Sequence, residues 1–179
     1  MIDLRKICIP FLVLSLTSCD EKSTESTTTA QPFPKFDSLQ APSEIEQLEA
    51  ILINDPNNFD TLSSLGDLYF ESSRYIEAIQ TYDKALGANP VCADCLNDRG
   101  LALYYLGDPE SALVSFDRAV AIAPQYTHAW LSKGYVLVSL GRYQEAIIPL
   151  NKVKELDPGG NLAVEADKFL ALAAQRGFK

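Results

Sequence analysis

Histidine is nearly absent from this sequence: His128 is the single imidazole in 179 residues. A metal site or catalytic centre that needs two imidazoles in one chain is therefore excluded. Cations are also scarce, 15 Lys and Arg against 24 Asp and Glu, for a formal charge of −9. Phosphate backbones are held by clustered Lys and Arg, so nucleic acid is not the expected partner. No apolar run approaches the roughly 20 residues of a membrane-spanning helix. The stretch Ile7 to Leu16 is too short for that role and contains Pro10. There is no Gly-rich phosphate loop, and nothing reads as a β-strand. These absences point to a chain that uses no cofactor and is not an enzyme. What is present is 47% hydrophobic residues, too apolar overall for a disordered chain.

The N-terminus reads as an address. Arg5 and Lys6 give a basic start, and Ile7–Leu16 has the length of a signal-peptide core. Leu16-Thr17-Ser18-Cys19 then resembles the lipobox of bacterial lipoproteins. In that family the Cys is acylated and becomes the new N-terminus. The resemblance implies a signal peptide over residues 1–18, which carries Cys8 away with it. It also implies lipidation of Cys19, export, and a hold on the membrane through the lipid alone. Which membrane of the envelope is left open. Residues 19–42 are rich in Ser, Thr and Pro with no apolar period. They are expected to form a flexible tether, and the 23 residues from Asp20 to Pro42 span roughly 26 Å as a random coil.

From Ser43 onward the chain repeats itself. Gly66, Gly100 and Gly134 stand 34 residues apart, as do Ala78, Ala112 and Ala146, and Pro56, Pro90, Pro124 and Pro158. Within each period, apolar residues recur at three- and four-residue spacing over two stretches, the pattern of two amphipathic helices. These units resemble the tetratricopeptide repeat. Its pattern is carried by Leu62, Leu65, Gly66, Tyr69, Ala78, Tyr82, Ala85 and Pro90 in residues 59–92. Gly100, Ala112, Phe116, Ala119 and Pro124 carry it in 93–126, and Trp130, Gly134, Ala146, Leu150 and Pro158 in 127–160. Arg99 and Lys133 depart from the Leu expected at unit position 7, and Pro149 predicts a kink in the last unit's second helix. Residues 43–55 read as an N-terminal flanking helix and 161–179 as a C-terminal capping helix. The implied fold is all-α, a right-handed solenoid of three helix hairpins with one flanking helix at each end.

In this family the first helix of each unit lines a concave groove. The matching positions here are Asp60, Ser63, Asp67 and Phe70, then Asp94, Asn97, Asp98, Leu101, Tyr104 and Tyr105, then His128, Leu131, Tyr135 and Val138. The groove is expected to start acidic and end aromatic and apolar. Some chaperone-binding members clamp a C-terminal carboxylate with Lys, Asn and Arg at these positions. This sequence has Asp67 and Asp98 instead, with no matching cation. A protein or peptide segment carrying basic and apolar residues fits better, held by charge-assisted bonds and ring contacts. The bland alternative is a solvated polar face with half-buried tyrosines.

Cys92-Ala93-Asp94-Cys95 is not required by the repeat. Cys92 stands where Asn58 stands one period earlier, as an N-cap, and Cys95 follows in the first turn. An exported chain meets oxidising conditions, which favours a short disulfide. Free inert thiols and a thiol-handling role, for instance in maturing exported c-type cytochromes, are the alternatives.

Overall fold

The computed structural model describes residues 43–177. The proposed lipobox, Cys8, Cys19 and the whole tether lie outside them. The described residues form eight helices: α1 (Glu44–Asn54), α2 (Phe59–Glu71), α3 (Tyr75–Ala88), α4 (Ala93–Leu106), α5 (Pro109–Ile122), α6 (Thr127–Ser139), α7 (Tyr143–Leu156) and α8 (Asn161–Gly177).

Helix starts follow from local chemistry. Ser43 and Glu46 close a capping box on α1, with Ser43 Oγ accepting from the Glu46 N–H. Asn58 Oδ1 accepts from the Thr61 N–H at 3.0 Å, and Asp108 Oδ1 from the Ser111 N–H at 3.1 Å, ahead of Pro109. The position before each of α2, α4 and α6 recurs one period apart as Asn58, Cys92 and Tyr126, and only the first two cap with their side chains.

Each hairpin is set by one residue-sized gap. A Cβ added to Gly66 would lie 2.6 Å from the Tyr82 ring, at Gly100 2.5 Å from the Phe116 ring, and at Gly134 2.4 Å from Leu150. The glycine of the first helix thus makes room for the large residue of the second, Tyr82, Phe116 or Leu150. Tyr82, Phe116 and Leu150 are buried, as are Ala78, Ala112 and Ala146. Burying each large side chain contributes roughly 1.5–3 kcal/mol.

Between units, first helices pack on first helices: α2 meets α4, α4 meets α6, and α6 meets α8. The second helices α3, α5 and α7 pack on their neighbours' first helices and not on each other. A cleft of about 390 Å³ separates α5 from α7, and one of about 320 Å³ separates α1 from α3. A row of touching inner helices with spaced outer ones bends the stack toward α2, α4, α6 and α8, in the right-handed solenoid expected. Helix α8 takes the place of a fourth inner helix, its first N–H groups capped by Asp157 Oδ2.

The departures from the repeat pattern find uses. Arg99 Nε lies 2.6 Å from Asp83 Oδ1 and Lys133 Nζ 2.5 Å from Asp117 Oδ1, so the same inter-unit ion pair recurs one period on. Arg99 also donates to the buried Ser115 Oγ at 2.8 Å. At Pro149, α7 continues as helix, with the ring fully buried. Packing around the ring offsets the missing N–H, whose usual acceptor is the carbonyl one turn earlier.

Candidate functional site

The inner helices bring two kinds of chemistry to one face. On α4, Asp94, Asp98, Leu101 and Tyr105 follow one another at four- and three-residue steps and form a stripe. Asn97 and Tyr104 run beside it. On α2, Asp67 precedes Phe70 by three residues. Both helices therefore present acid nearer the N-terminal end and aromatic rings nearer the C-terminal end.

The acidic part is closely knit. Tyr82 donates its hydroxyl to Asp67 Oδ1 at 2.8 Å, and Tyr126 donates to Asp94 Oδ1. Asn97 Nδ2 donates to Asp98 Oδ1 at 3.1 Å. Asn97 is 4% exposed and its Oδ1, also buried, has no hydrogen-bond partner among the described residues. Burial pushes the Tyr82 hydroxyl well above the usual tyrosine range, and the charges of Asp98 and Asp67 push it further. Burial, the bond to Asp94 and the same neighbouring carboxylates raise Tyr126. Three carboxylates thus act together on two hydroxyls, a field that favours a cation.

The aromatic part is a continuous ladder. Tyr75 stacks on Tyr105 at 5.4 Å between ring centroids, and Phe70 sits 5.8 Å from Tyr105. Tyr105 meets Tyr104 at 5.5 Å, Tyr104 meets Tyr135 at 5.5 Å, and Tyr135 meets Phe169 at 5.4 Å. The rings come from α2, α3, α4, α6 and α8, so the ladder crosses the whole described array. Tyr105 is the most open of them, at 39% exposure.

Of the residues expected in the groove, Asp67, Asp94, Asn97 and Asp98 come together as the acidic cluster, and Phe70, Tyr104, Tyr105 and Tyr135 as the ladder. Leu101, half-buried, lies between the two parts along α4. Asp60 stands exposed in the first turn of α2 and takes part in neither. His128 is exposed, its ring 5.6 Å from Tyr126. Leu131 and Val138 are buried in the core and do not line an open surface. Ser63 faces the cysteines, its Oγ 3.9 Å from Cys95 Sγ. Cys92 and Cys95 are joined as a disulfide with their Cα atoms 5.4 Å apart, and Cys92 Sγ accepts from the Cys95 N–H.

Four residues escaped the sequence reading. Tyr82 and Tyr126 occupy positions assigned to packing and capping, and nothing in their spacing says that their hydroxyls turn toward the acids. Tyr75 opens a second helix. Phe169 was findable, because it stands 34 residues after Tyr135, at the same position of a fourth inner helix.

Comparison with known proteins gives a consistent picture. The tetratricopeptide repeat profile matches residues 45–91 and 97–161. RNA polymerase II-associated protein 3 of Mus musculus is 30% identical over 139 residues, covering 78% of this chain and 20% of its own length. The small glutamine-rich tetratricopeptide repeat-containing protein 2 of Mycosarcoma maydis is 31% identical over 103 residues, 58% of this chain and 29% of its own. This chain thus spans less than a third of these curated relatives. Among solved structures, the first TPR of Spaghetti (RPAP3), bound to HSP90 peptide SRMEEVD, superposes with a TM-score of 0.64 at 28% identity, covering 70% of this chain and 97% of that one. The crystal structure of MamA gives 0.62 at 25% identity over 74% and 86%. Repeat period, hairpin packing and profile agree over the greater part of the sequence, and on that ground the chain belongs to the tetratricopeptide repeat family.

Proposed function

We propose that this protein is a non-catalytic adaptor, anchored by lipid on Cys19 in a bacterial cell envelope, whose concave face holds a protein or peptide partner carrying basic and apolar residues. The observation that carries the reading is the pairing, on one face, of the Asp67–Asp94–Asp98 cluster with a ring ladder that runs from α2 to α8. The repeat's use as a peptide receptor in a related structure supports the class of activity. The charge differs, however. The peptide SRMEEVD held there carries three acidic residues, and such a ligand would be repelled by three carboxylates here. The cysteines sit at the start of α4, with Cys95 buried, and are read as part of the groove's frame.

The test is affinity capture from solubilised envelope with the wild type and with a Tyr104→Ala/Tyr105→Ala/Asp98→Lys variant. Partners lost from the variant support the groove, and identical partner sets refute it. The anchor is tested separately by feeding cells labelled palmitate: label on the wild type and none on Cys19→Ser is the expected result.

A further inference from the structure

The disulfide at the start of α4 answers no need of the repeat. The equivalent pairs one period away are Asn58 with Thr61 and Tyr126 with Ala129. Helices α2 and α6 begin at the same point of the period as α4, with no covalent link. A disulfide stabilises mainly by closing a loop in the unfolded chain, and more for longer loops. This one has a sequence separation of 3, so it constrains little that the first helical turn does not already fix.

The two sulfurs are unequal. Cys92 is half-buried, beside Val91 at 67% exposure, whereas Cys95 is 1% exposed. An incoming thiolate therefore meets Cys92 Sγ and is kept from Cys95. Each sulfur also has a donor in place for the charge it gains when the bond between them breaks. The Cys95 N–H lies 3.0 Å from Cys92 Sγ, at the positive end of α4, and Ser63 Oγ lies 3.9 Å from Cys95 Sγ. Hydrogen bonds to ionised acceptors are the stronger ones, so both contacts strengthen on reduction, and a helix N-terminus favours a thiolate. Asp94, in the same first turn, opposes that charge, but its Oδ1 already accepts the Tyr126 hydroxyl. A stabilised reduced pair makes its disulfide a ready electron acceptor.

We propose that Cys92–Cys95 is an exchangeable disulfide that oxidises a pair of thiols in a partner protein. One partner thiolate attacks Cys92 Sγ, the Cys92–Cys95 bond breaks, and Cys95 leaves as a thiolate with the bonding pair. The partner's second thiolate then attacks the partner's own sulfur in the mixed disulfide, and Cys92 leaves. Two electrons pass from the partner's dithiol to the two cysteines. The partner keeps a new disulfide, and the two protons its thiols lost are taken up by Cys92 and Cys95. The exchange is stoichiometric, goes beyond the adaptor reading and does not depend on it.

The test uses the full chain in detergent. Alkylation and mass spectrometry read the peptide that carries Cys92 and Cys95, apart from Cys8 and Cys19. In graded mixtures of reduced and oxidised glutathione the pair is expected to pass through half reduction. A pair that stays oxidised in a large excess of reduced glutathione is an inert bridge and overturns the proposal. A labelled peptide with two reduced cysteines, two residues apart, should become oxidised one for one as the protein's pair is reduced, and a peptide left unoxidised counts equally against it. In Cys95→Ser, the remaining Cys92 should form a mixed disulfide with oxidised glutathione at least about tenfold faster than Cys95 does in Cys92→Ser. Equal rates overturn the assignment of Cys92 as the attacked sulfur. Circular dichroism of Cys92→Ser/Cys95→Ser should match the oxidised wild type, whereas a loss of helix would make the bridge a structural staple and refute the exchange role. Capture of partners from solubilised envelope by that double variant tests the adaptor reading separately.

Discussion

Tyr82 rests its ring on Gly66 and its hydroxyl on Asp67, so one side chain joins hairpin packing to the acidic face. Its folded environment holds the phenol protonated where an unfolded tyrosine, near the ordinary value of about 10, ionises. Proton linkage then gives the sign: the folded state binds more protons above that pH, so stability is full below pH about 10 and falls as pH rises beyond it. Tyr126 and Tyr135 are raised in the same sense. Tyr82→Phe keeps the ring and removes the ionisation. At neutral pH it should cost about 1.5–3 kcal/mol for the lost bond to a carboxylate, and its urea midpoint should decline less steeply than the wild type's between pH 9.5 and 11 (on the order of one pH unit around the unfolded value). A parallel decline in both proteins would show that Tyr82 is not held protonated.

At the scale of the helix pair, the close approach at Gly66, Gly100 and Gly134 is the vulnerable point. Gly100→Ala would press a methyl group into the Phe116 ring, so it should destabilise by about 1–3 kcal/mol. Gly87, inside α3 with nothing within 4 Å of an added Cβ, is the control. Gly87→Ala should stabilise by about 0.5–1 kcal/mol, because alanine restricts the unfolded chain and favours helix. Thermal unfolding followed by circular dichroism measures both, and equal shifts of the same sign would contradict the packing described. The hairpins themselves were legible before any coordinates, since a 34-residue recurrence of Gly, Ala and Pro has no other economical explanation. What each glycine faces was not: Gly and Ala look like partners in the one-dimensional pattern, whereas the space at Gly66, Gly100 and Gly134 belongs to Tyr82, Phe116 and Leu150. At Pro149, local chain rules register the missing N–H but not the packing that surrounds the buried ring. The acidic face was half legible. Asp67, Asp94 and Asp98 lie at positions the repeat pattern identifies, while the tyrosine hydroxyls that bind two of them arrive from neighbouring elements through tertiary folding.

Across the whole molecule, stability is a sum over neighbouring elements, so the ends matter more than their sequence share. Helix α8 buries Ala163, Ala166 and Ala173 and packs Leu162, Phe169 and Leu172 against the second core cluster. Ending the chain after Gly160 would expose that seam and remove on the order of 5 kcal/mol of apolar burial. The shortened protein is expected to melt earlier and to associate in sedimentation velocity runs, whereas an unchanged melting temperature would mean that α8 does not seal the stack. The spacing of the outer helices has a mechanical outcome. Flattening the arc requires only that the clefts beside α3, α5 and α7 narrow, while the inner row stays in register, and across the α5–α7 cleft a solvent-facing Arg142–Glu110 pair ties the two helices. Such a body is stiff against tighter curling and yielding toward straightening. For the partner proposed above, a segment longer than the resting hollow is expected to be met by elastic unbending, without any hairpin coming apart.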